Sequence, residues 1–338
     1  MIEIDGSHGE GGGQILRTSV SLSSVLGEPV RMRDIRAGRS RPGLAPQHVT
    51  SIEAVGELCG ADTDGVFPGS KEITFRPGQL VGGEFEFDVG TAGSVSLVMQ
   101  SCLLPAVLSK AGVRITLRGG TDVRWAPPID YMRLAHIPIL SMFGPSCYIE
   151  LASRGFYPEG GGEVLVDISP EGGLRPIKLL SQGKVVSMRG IACAQNLPEH
   201  VVTRMKHSAL KTMAGTYDVR IESDIRSGPS TGAGIVLAAT CENTILAESA
   251  LGAKGVRSEA LGEHCAEALL ETVRSGATID EHMTDQVLPY MALAKPGSVV
   301  VTEELTSHAE TNIWLIEQFL GKKFSVETIG TLKRISTA

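Results

Sequence analysis

The segment GSHGEGGGQILR, residues 6–17, combines closely spaced glycines with one carboxylate, Glu10, and leads into an apolar helical pattern. Glycine-rich turns at the start of a helix bind phosphate, because their backbone N–H groups and the helix N-terminus both favour anions. Neither the Walker A loop nor the dinucleotide fingerprint fits, since Gln14 stands where those patterns need other residues. Glu10 would serve either as a ligand of a divalent cation that screens the phosphates or as a partner of the helix dipole.

A run of arginines follows in RMRDIRAGRSR, residues 31–41, which holds five arginines and one aspartate. A solvated charged surface is one interpretation. The other is phosphate recognition, because a planar guanidinium binds phosphate oxygens with two parallel hydrogen bonds. Arg39 and Arg41 adjoin Gly38 and Pro42, and such turn residues would hold the arginines in fixed positions.

A second glycine cluster lies in RGFYPEGGGEV, residues 154–164. An Arg-Gly pair, two aromatic residues, a proline and three successive glycines are more specific than a generic turn. Arg154 and Tyr157 border the cluster, and they either maintain the turn or contact a substrate.

Composition describes a soluble globular chain. It has 338 residues, of which 42% are hydrophobic and 20% charged, and its net charge is −7. This length allows two domains, or one large domain with an insertion. The acidic balance argues against a protein that coats nucleic acid along its length, but not against one that grips a single polynucleotide end. We expect a cytoplasmic protein, because no signal peptide or membrane span is evident and the six scattered cysteines suit buried free thiols better than a zinc site.

Internal similarity predicts the organisation of the chain. Residues 11–38 and 91–120 each contain a small-residue turn, an apolar helical pattern, a strand and a glycine-rich exit, and residues 284–308 form a weaker third copy. About a hundred residues with their own strands and helices precede the third copy. The predicted fold is therefore α/β: a large domain of three repeated βα units, residues 1–184 and 276–338, with a smaller α/β domain, residues 185–275, inserted before the third repeat.

Five motifs in this order resemble the RNA 3′-terminal phosphate cyclase family: GEGGGQILR, IRAGRSRPGLAPQH, GGTDVRWAPP, RGFYPEGGGEV and DQVLPYMALA with SHAETNI. The resemblance runs from residue 2 to about residue 330. It implies a large domain of three βα repeats with a smaller inserted domain. It also implies an ATP-dependent reaction, in which a histidine–AMP intermediate passes AMP to an RNA 3′-phosphate and the ribose 2′-hydroxyl then displaces it to leave a 2′,3′-cyclic phosphate.

His308 is the expected nucleophile, since it matches the family histidine and follows the strand pattern at residues 299–302. Catalytic groups of α/β proteins usually lie at the carboxyl ends of strands. A neutral imidazole, with an unperturbed pKa of about 6.5, is nucleophilic at neutral pH. The alternative is an ordinary surface or core histidine, and the chain has eight histidines.

The resemblance also implies a set of binding residues. His282 stands where well-studied members have a tyrosine that stacks on adenine, and an imidazole can also stack on a base. His48 is expected to be a structural neighbour of Gln47. The implied ATP-binding residues are Arg17, Arg39, Gln47, Pro127, Tyr131, His282, Asp285 and Gln286, and Glu10 is the implied ligand of Mg²⁺ or Mn²⁺.

Two other functions remain open from the sequence. Non-catalytic relatives of the cyclases act in ribosome biogenesis, but they lack the histidine nucleophile. Enolpyruvyl transferases share the repeated βα architecture, but they would use Lys and Arg sites without a covalent histidine. The expected partners of this chain are RNA 3′-phosphate ends, without a membrane, and a homodimer is an open alternative.

Overall fold

The computed structural model describes residues 1–9, 11–170, 172–215 and 217–337, and these residues form four sheets packed against helices. In the first unit, β1 and β2 run parallel and the other neighbours are antiparallel, in the order β1-β2-β4-β3. Its elements are β1 (Ile2–Asp5), α1 (Gly13–Leu26), β2 (Val30–Arg33), α2 (Pro46–Cys59), β3 (Asp62–Asp64) and β4 (Ile73–Arg76).

The second unit repeats this topology, because its sheet has the order β5-β6-β8-β7 with β5 and β6 parallel. A π-helical turn, Met132–His136, joins two short helices into one continuous helical segment. The elements are β5 (Gly83–Asp88), α3 (Val95–Val107), β6 (Val113–Gly119), α4 (Ile129–Tyr131), α5 (Ile137–Met142), β7 (Ser146–Ser153) and β8 (Gly162–Ser169).

The inserted region builds a separate sheet of order β10-β9-β11-β12, against which two helices pack. Its apolar core is distinct from that of the repeated units and includes Met205, Leu237 and Leu269. The elements are β9 (Val185–Gln195), α6 (Glu199–Met213), β10 (Val219–Arg226), β11 (Gly232–Cys241), β12 (Ile245–Leu251) and α7 (Ser258–Ser275).

The third unit has a sheet of order β13-β15-β14. Residues 177–179 run parallel to β13, because Val299 N–H donates to Ile177 O and Leu179 N–H donates to Val299 O, both at 2.8 Å. One short segment of this unit thus precedes the inserted sheet, whereas the sequence pattern placed the whole unit after it. The elements are α8 (Glu281–Leu293), β13 (Val299–Thr302), α9 (Ser307–Leu320), β14 (Phe324–Ile329) and β15 (Leu332–Thr337).

The helices of the repeated units form the centre of the large core. Helix α3 packs between α1 and α2, and all of its residues except Leu97 and Gln100 are buried. A helix that is apolar on every side is a core helix, which explains the long apolar stretch in the sequence. No helix of the described residues is long and apolar enough to cross a membrane. All six cysteines are free, and five of them are buried, as the sequence predicts.

Arg154 joins the inserted sheet to the second unit. Its side chain is buried, and its guanidinium donates to Asp122 at 3.1 Å and to Asp224 of β10 at 2.8 Å. It also donates to Asp130, at the start of α4. These partners show that Arg154 connects the two regions, whereas the sequence left open whether it maintains the glycine turn or contacts a substrate.

Candidate functional site

Several helices begin at one place in the molecule. Helix α1 begins at Gly13, next to His48 in the first turn of α2, and Gln14 contacts His308 in the first turn of α9. The α3 N-cap residue Ser94 donates its backbone N–H to Gln47 Oε1 at 3.3 Å. Helix N-termini carry unpaired N–H groups and a partial positive charge. Their convergence therefore creates a region suited to a polyanion such as a nucleotide polyphosphate.

The glycines before α1 make room for the polar side chains of this region. A Cβ on Gly13 would overlap Nε2 of His48 and would lie 3.0 Å from Arg17 Nη1. A Cβ on Gly12 would lie 3.3 Å from Arg39 Nη2. The absence of side chains thus lets arginine and imidazole nitrogens approach the backbone.

His48 is held as a neutral ring. Its Nδ1 accepts a hydrogen bond from the backbone N–H of Ala45 at 3.0 Å, and its side chain is 3% exposed. Burial, together with the nearby cations Arg17 and Arg36, lowers the pKa of His48 to about 3. A ring that stays neutral and lies against Gly13 fits the predicted role of a structural neighbour.

Arg17 and Asp285 place opposite charges beside the cavity of the site. Burial lowers the pKa of Arg17 to about 10, while the carboxylate of Asp285 opposes this shift, so the guanidinium is still cationic at neutral pH. Burial raises the pKa of Asp285, and hydrogen bonding to Gln286 and the charges of His308 and Arg17 oppose the rise. Both residues line a polar cavity between α1, α3, α8 and α9.

A hydrogen-bonded chain links Asp285 to the candidate nucleophile. Gln14 donates from Nε2 to Asp285 Oδ2, and Gln286 donates from Nε2 to Asp285 Oδ1 at 2.9 Å. The oxygen of the Gln14 amide, Oε1, lies 2.5 Å from His308 Nδ1. Asp285 and His308 lie 271 and 294 positions after Gln14 in the chain, and both contact its side chain.

This chain fixes the tautomer of His308. A carboxylate accepts hydrogen bonds and does not donate them, so the Gln14 amide must present its NH₂ group to Asp285 and its oxygen to the histidine. An amide oxygen also only accepts, and Nδ1 must therefore carry the hydrogen. In the neutral imidazole, this tautomer has its lone pair on Nε2, the nitrogen that can act as a nucleophile.

The N-terminus of α9 holds His308 at the edge of the fold. Thr306 caps the helix, because its hydroxyl accepts from the backbone N–H of Ala309 at 3.1 Å. His308 itself is exposed, while Ala309 is buried. Stacking of His8 on Trp314, with ring centroids 3.7 Å apart, brings the first glycine segment against the same helix.

Two of the residues predicted around the adenine, His282 and Tyr131, lie at or beside the start of α8. Asp280 caps that helix, and His282 in its first turn is exposed, so a base could reach the imidazole. Tyr131 is buried, and its hydroxyl donates to Asp280 Oδ1 at 2.6 Å. Tyr131 therefore supports the start of α8, and the structure gives it no exposed ring face. Pro127 is half-buried, and its carbonyl accepts from Ser96 Oγ at 2.7 Å.

The arginine run divides between the site and the surface. Arg31 pairs with Glu72, and Arg33 lies 3.5 Å from Glu3, so both are engaged on the outer face of the first sheet. Arg36 donates to Gly43 O at 2.8 Å and so holds its own loop. Arg39 is the member of the run that reaches the glycines of the site.

Glu10 lies outside the described residues, so its predicted metal role stays a prediction. Among the described residues, Asp122, Asp130 and Cys193 place possible ligand atoms within 4.8 Å of one another. The Arg154 guanidinium, however, already donates to both of those carboxylates. That group therefore belongs to the joint between the regions.

Gln14 is a candidate site residue that the sequence alone did not reveal. The signal was present, since this glutamine stands where the familiar phosphate loops have other residues. Its partners come from α8 and α9, more than 270 residues further along the chain. Only the folded arrangement shows why an amide belongs there.

These observations define an α/β protein of repeated units with a site for phosphate chemistry, in which an oriented histidine lies beside converging helix N-termini. The family model described as RNA 3′-terminal phosphate cyclase matches residues 8–326. A protein of that name from Nitrosospira multiformis is 45% identical over 99% of this chain and 96% of its own length. Relatives of the same name from Pyrobaculum neutrophilum and Methanothermobacter thermautotrophicus are 43% and 46% identical, each over 97% of this chain and 96% of its own. The chain belongs to the RNA 3′-terminal phosphate cyclase family, a family of enzymes.

Proposed function

We propose that this protein uses ATP to convert the 3′-terminal phosphate of an RNA into a 2′,3′-cyclic phosphate, through a covalent His308–AMP and an RNA-adenylate. The observation that carries the proposal is the contact of 2.5 Å between His308 Nδ1 and Gln14 Oε1, with Asp285 behind the amide. The tautomer that this contact selects has its lone pair on Nε2, and Nε2 is the proposed nucleophile.

In the first step, the Nε2 lone pair of His308 attacks the α-phosphorus of ATP. An N–P bond forms, the bond from that phosphorus to the bridging oxygen breaks, and pyrophosphate leaves with the electron pair. The imidazole becomes cationic because Nδ1 keeps its hydrogen. The Asp285 carboxylate, one amide away, stabilises this charge in a partly buried setting.

In the second step, an oxygen of the RNA 3′-phosphate attacks the AMP phosphorus, and the N–P bond breaks to return the neutral histidine. In the third step, the ribose 2′-oxygen attacks the phosphorus of the 3′-phosphate. AMP leaves, and the 2′-hydroxyl proton passes to solvent or to a nearby base. The products are a 2′,3′-cyclic phosphate, AMP and pyrophosphate, so all atoms are accounted for.

Arg17, Arg39 and the converging helix N-termini are the groups proposed to bind the phosphates. Their cationic and N–H donors lie around Gly12 and Gly13, where the backbone leaves space. His282 and Pro127 are proposed for the adenine, and Gln47 and Gln286 for the rest of the nucleotide. We propose that Tyr131 acts indirectly, because its hydroxyl donates a hydrogen bond to Asp280, the N-cap residue of α8.

A divalent cation would neutralise the polyphosphate and make the α-phosphorus more electrophilic. Glu10, in the glycine segment, remains the predicted ligand of Mg²⁺ or Mn²⁺. A carboxylate oxygen suits either ion. We also propose that the RNA partner is recognised at its 3′-phosphate end, and a homodimer stays an open prediction.

The decisive experiment incubates the protein with ATP labelled at the α-phosphate, a divalent cation and no RNA. We expect the chain to become labelled and His308→Ala to lose the label. His264→Ala is the matched control, because His264 is an exposed histidine on α7 of the inserted region. Labelling that survives in His308→Ala, or is absent from the parent, would contradict the proposal.

A further inference from the structure

Trp125 and Tyr157 present large aromatic side chains to solvent. Their exposed fractions are 95% and 75%, in a chain with only 4% aromatic residues. Exposure of one apolar side chain is ordinary, but indole and phenol rings are the groups that proteins use to stack on nucleobases. Both residues lie in loops of the second unit, after β6 and after β7.

The loop that carries Trp125 is anchored on both sides. Ile129 N–H donates to Thr121 O at 2.9 Å and closes the loop, and Ser96 Oγ donates to Pro127 O at 2.7 Å. Trp125 itself has a φ of 65°, in the left-handed region that a bulky residue rarely adopts. A conformation of this kind persists only when its surroundings enforce it, and here it directs the indole away from the core.

The two loops leave the sheet side by side. Thr121 N–H and Asp122 N–H both donate to Gly155 O, at 2.8 and 3.1 Å. Asp122 also forms a parallel bridge with Phe156, the residue before Tyr157. Trp125 is three residues beyond this bridge and Tyr157 is one residue beyond it, so the two aromatic residues are carried by neighbouring loops.

Hydrogen bonds link the Trp125 loop to the candidate site. Ser96, which holds the Trp125 loop, also shares a hydrogen bond of 2.9 Å with Ser94, the N-cap of α3. Ser94 N–H in turn donates to Gln47, in the first turn of α2. The Trp125 loop is therefore anchored beside the N-terminus of α3, one of the helices that begin at the candidate site.

We propose that Trp125 and Tyr157 stack on nucleobases of the RNA strand, upstream of the nucleotide whose 3′-phosphate enters the site. The proposal rests on the proposed function, and it adds a binding surface for the body of the RNA. The chain has a net charge of −7, so neutralising many phosphates is not an available source of affinity. Stacking requires no charge and tolerates any base, because every base has a π face.

The test measures binding of 3′-phosphorylated oligoribonucleotides of one to six nucleotides to the parent, Trp125→Ala, Tyr157→Ala and Tyr148→Ala. Tyr148, an exposed tyrosine on β7, is the matched control. Loss of one stacked base weakens binding by about 5- to 150-fold. We expect losses in this range for the Trp125 and Tyr157 variants with the longer oligomers, no loss with a mononucleotide, and parent-like affinity for Tyr148→Ala.

An abasic site in the oligomer shows whether a base is what the ring contacts. An abasic site at the position that stacks on Trp125 should weaken binding of the oligomer to the parent. The same abasic site should leave binding to Trp125→Ala unchanged, because that variant has no indole to stack on the base. Parent-like affinity of both aromatic variants would overturn the proposal. So would a changed oligomeric state of Trp125→Ala with unchanged RNA affinity, since the indole would then be a contact between copies of the chain.

Self-labelling with ATP in the absence of RNA separates this inference from the proposed function. Trp125→Ala should label as the parent does, because the indole takes no part in nucleotide transfer. If the parent and the variant both label but bind RNA equally well, the stacking surface is wrong and the proposed function stands. If the parent does not label, the proposed function itself fails.

Discussion

At the scale of single residues, an uncharged side chain is predicted to control the orientation of His308. Gln14 has no acid–base chemistry of its own, yet it connects the nucleophile to a buried carboxylate. Its amide can be orientated in only one way between these two partners. We therefore propose that Gln14 is a positioning residue, which would select the nitrogen of His308 that attacks.

We predict that Gln14→Ala slows self-adenylylation by roughly 10- to 10⁴-fold, a range that spans the loss of supporting contacts and the adoption of a wrong histidine tautomer. The physical reason is that Nδ1 and Nε2 of His308 would then compete for the hydrogen. Nitrogen chemical shifts of ¹⁵N-labelled histidine would report the tautomer directly, in both the parent and the variant.

Thr18→Ala provides the control for Gln14→Ala. Thr18 also lies on α1 and hydrogen-bonds to Asn312 of α9 at 3.1 Å, but it does not contact His308 in the described contacts. An unchanged tautomer in Gln14→Ala, together with a slower rate, would mean that Gln14 acts only through packing. A rate equal to that of the parent would remove it from the mechanism altogether.

At the scale of elements, the start of α1 depends on the absence of a side chain. We predict that Gly13→Ala destabilises the protein and slows self-adenylylation, because the added Cβ would overlap the His48 ring. Overpacking of this kind costs about 1–3 kcal/mol. Thermal unfolding and ATP labelling would measure the two effects.

Gly38→Ala is the matched control for Gly13→Ala, since no heavy atom lies within 4 Å of a Cβ built at that position. The double variant Gly13→Ala with His48→Ala should recover part of the stability lost by Gly13→Ala, because the overlapping ring is gone. If the double variant is no more stable than Gly13→Ala, the clash with His48 is not the cause.

The sequence predicted those elements whose local pattern is long and periodic. The strand at residues 299–302 and the helix patterns in the inserted region agree with β13, α6 and α7. Residues 177–179 were missed, because three residues paired with one neighbouring strand leave no periodic signal. Gln14 was missed for a related reason, since its importance comes from contacts with distant parts of the chain.

At the scale of the whole molecule, a buried charge cluster holds the inserted region to the second unit. Arg154, with a relative exposure of 1%, donates to Asp122 and Asp130 on one side and to Asp224 of β10 on the other. Removing one partner of a buried ion pair leaves the other charge uncompensated, which costs more than the pair itself contributes. The joint is therefore sensitive to a single substitution.

We predict that Arg154→Met lowers the free energy of unfolding by about 3–5 kcal/mol near pH 8. Burial already raises the pKa of Asp122, and Arg154 opposes that rise. Without the guanidinium, the pKa of Asp122 in the folded protein moves further above its unfolded value of about 3.9. The loss of unfolding free energy in Arg154→Met therefore grows as the pH rises above about 4. The reason is that the carboxyl of Asp122 ionises in the unfolded chain while it resists ionisation in the folded protein.

Urea unfolding of the parent and Arg154→Met at pH 5 and pH 8 tests this prediction, and the deficit should be smaller at pH 5. Arg118→Met is the control, because Arg118 is an exposed arginine that pairs with Glu163 at 2.6 Å and exposed pairs contribute about 0–1 kcal/mol. If the joint positions the inserted region, amide hydrogen exchange in Arg154→Met should also quicken in β10, where Asp224 lies, before it quickens in β6. A deficit that is equal at both pH values would show that lost packing, rather than uncompensated charge, is the cost of removing this arginine.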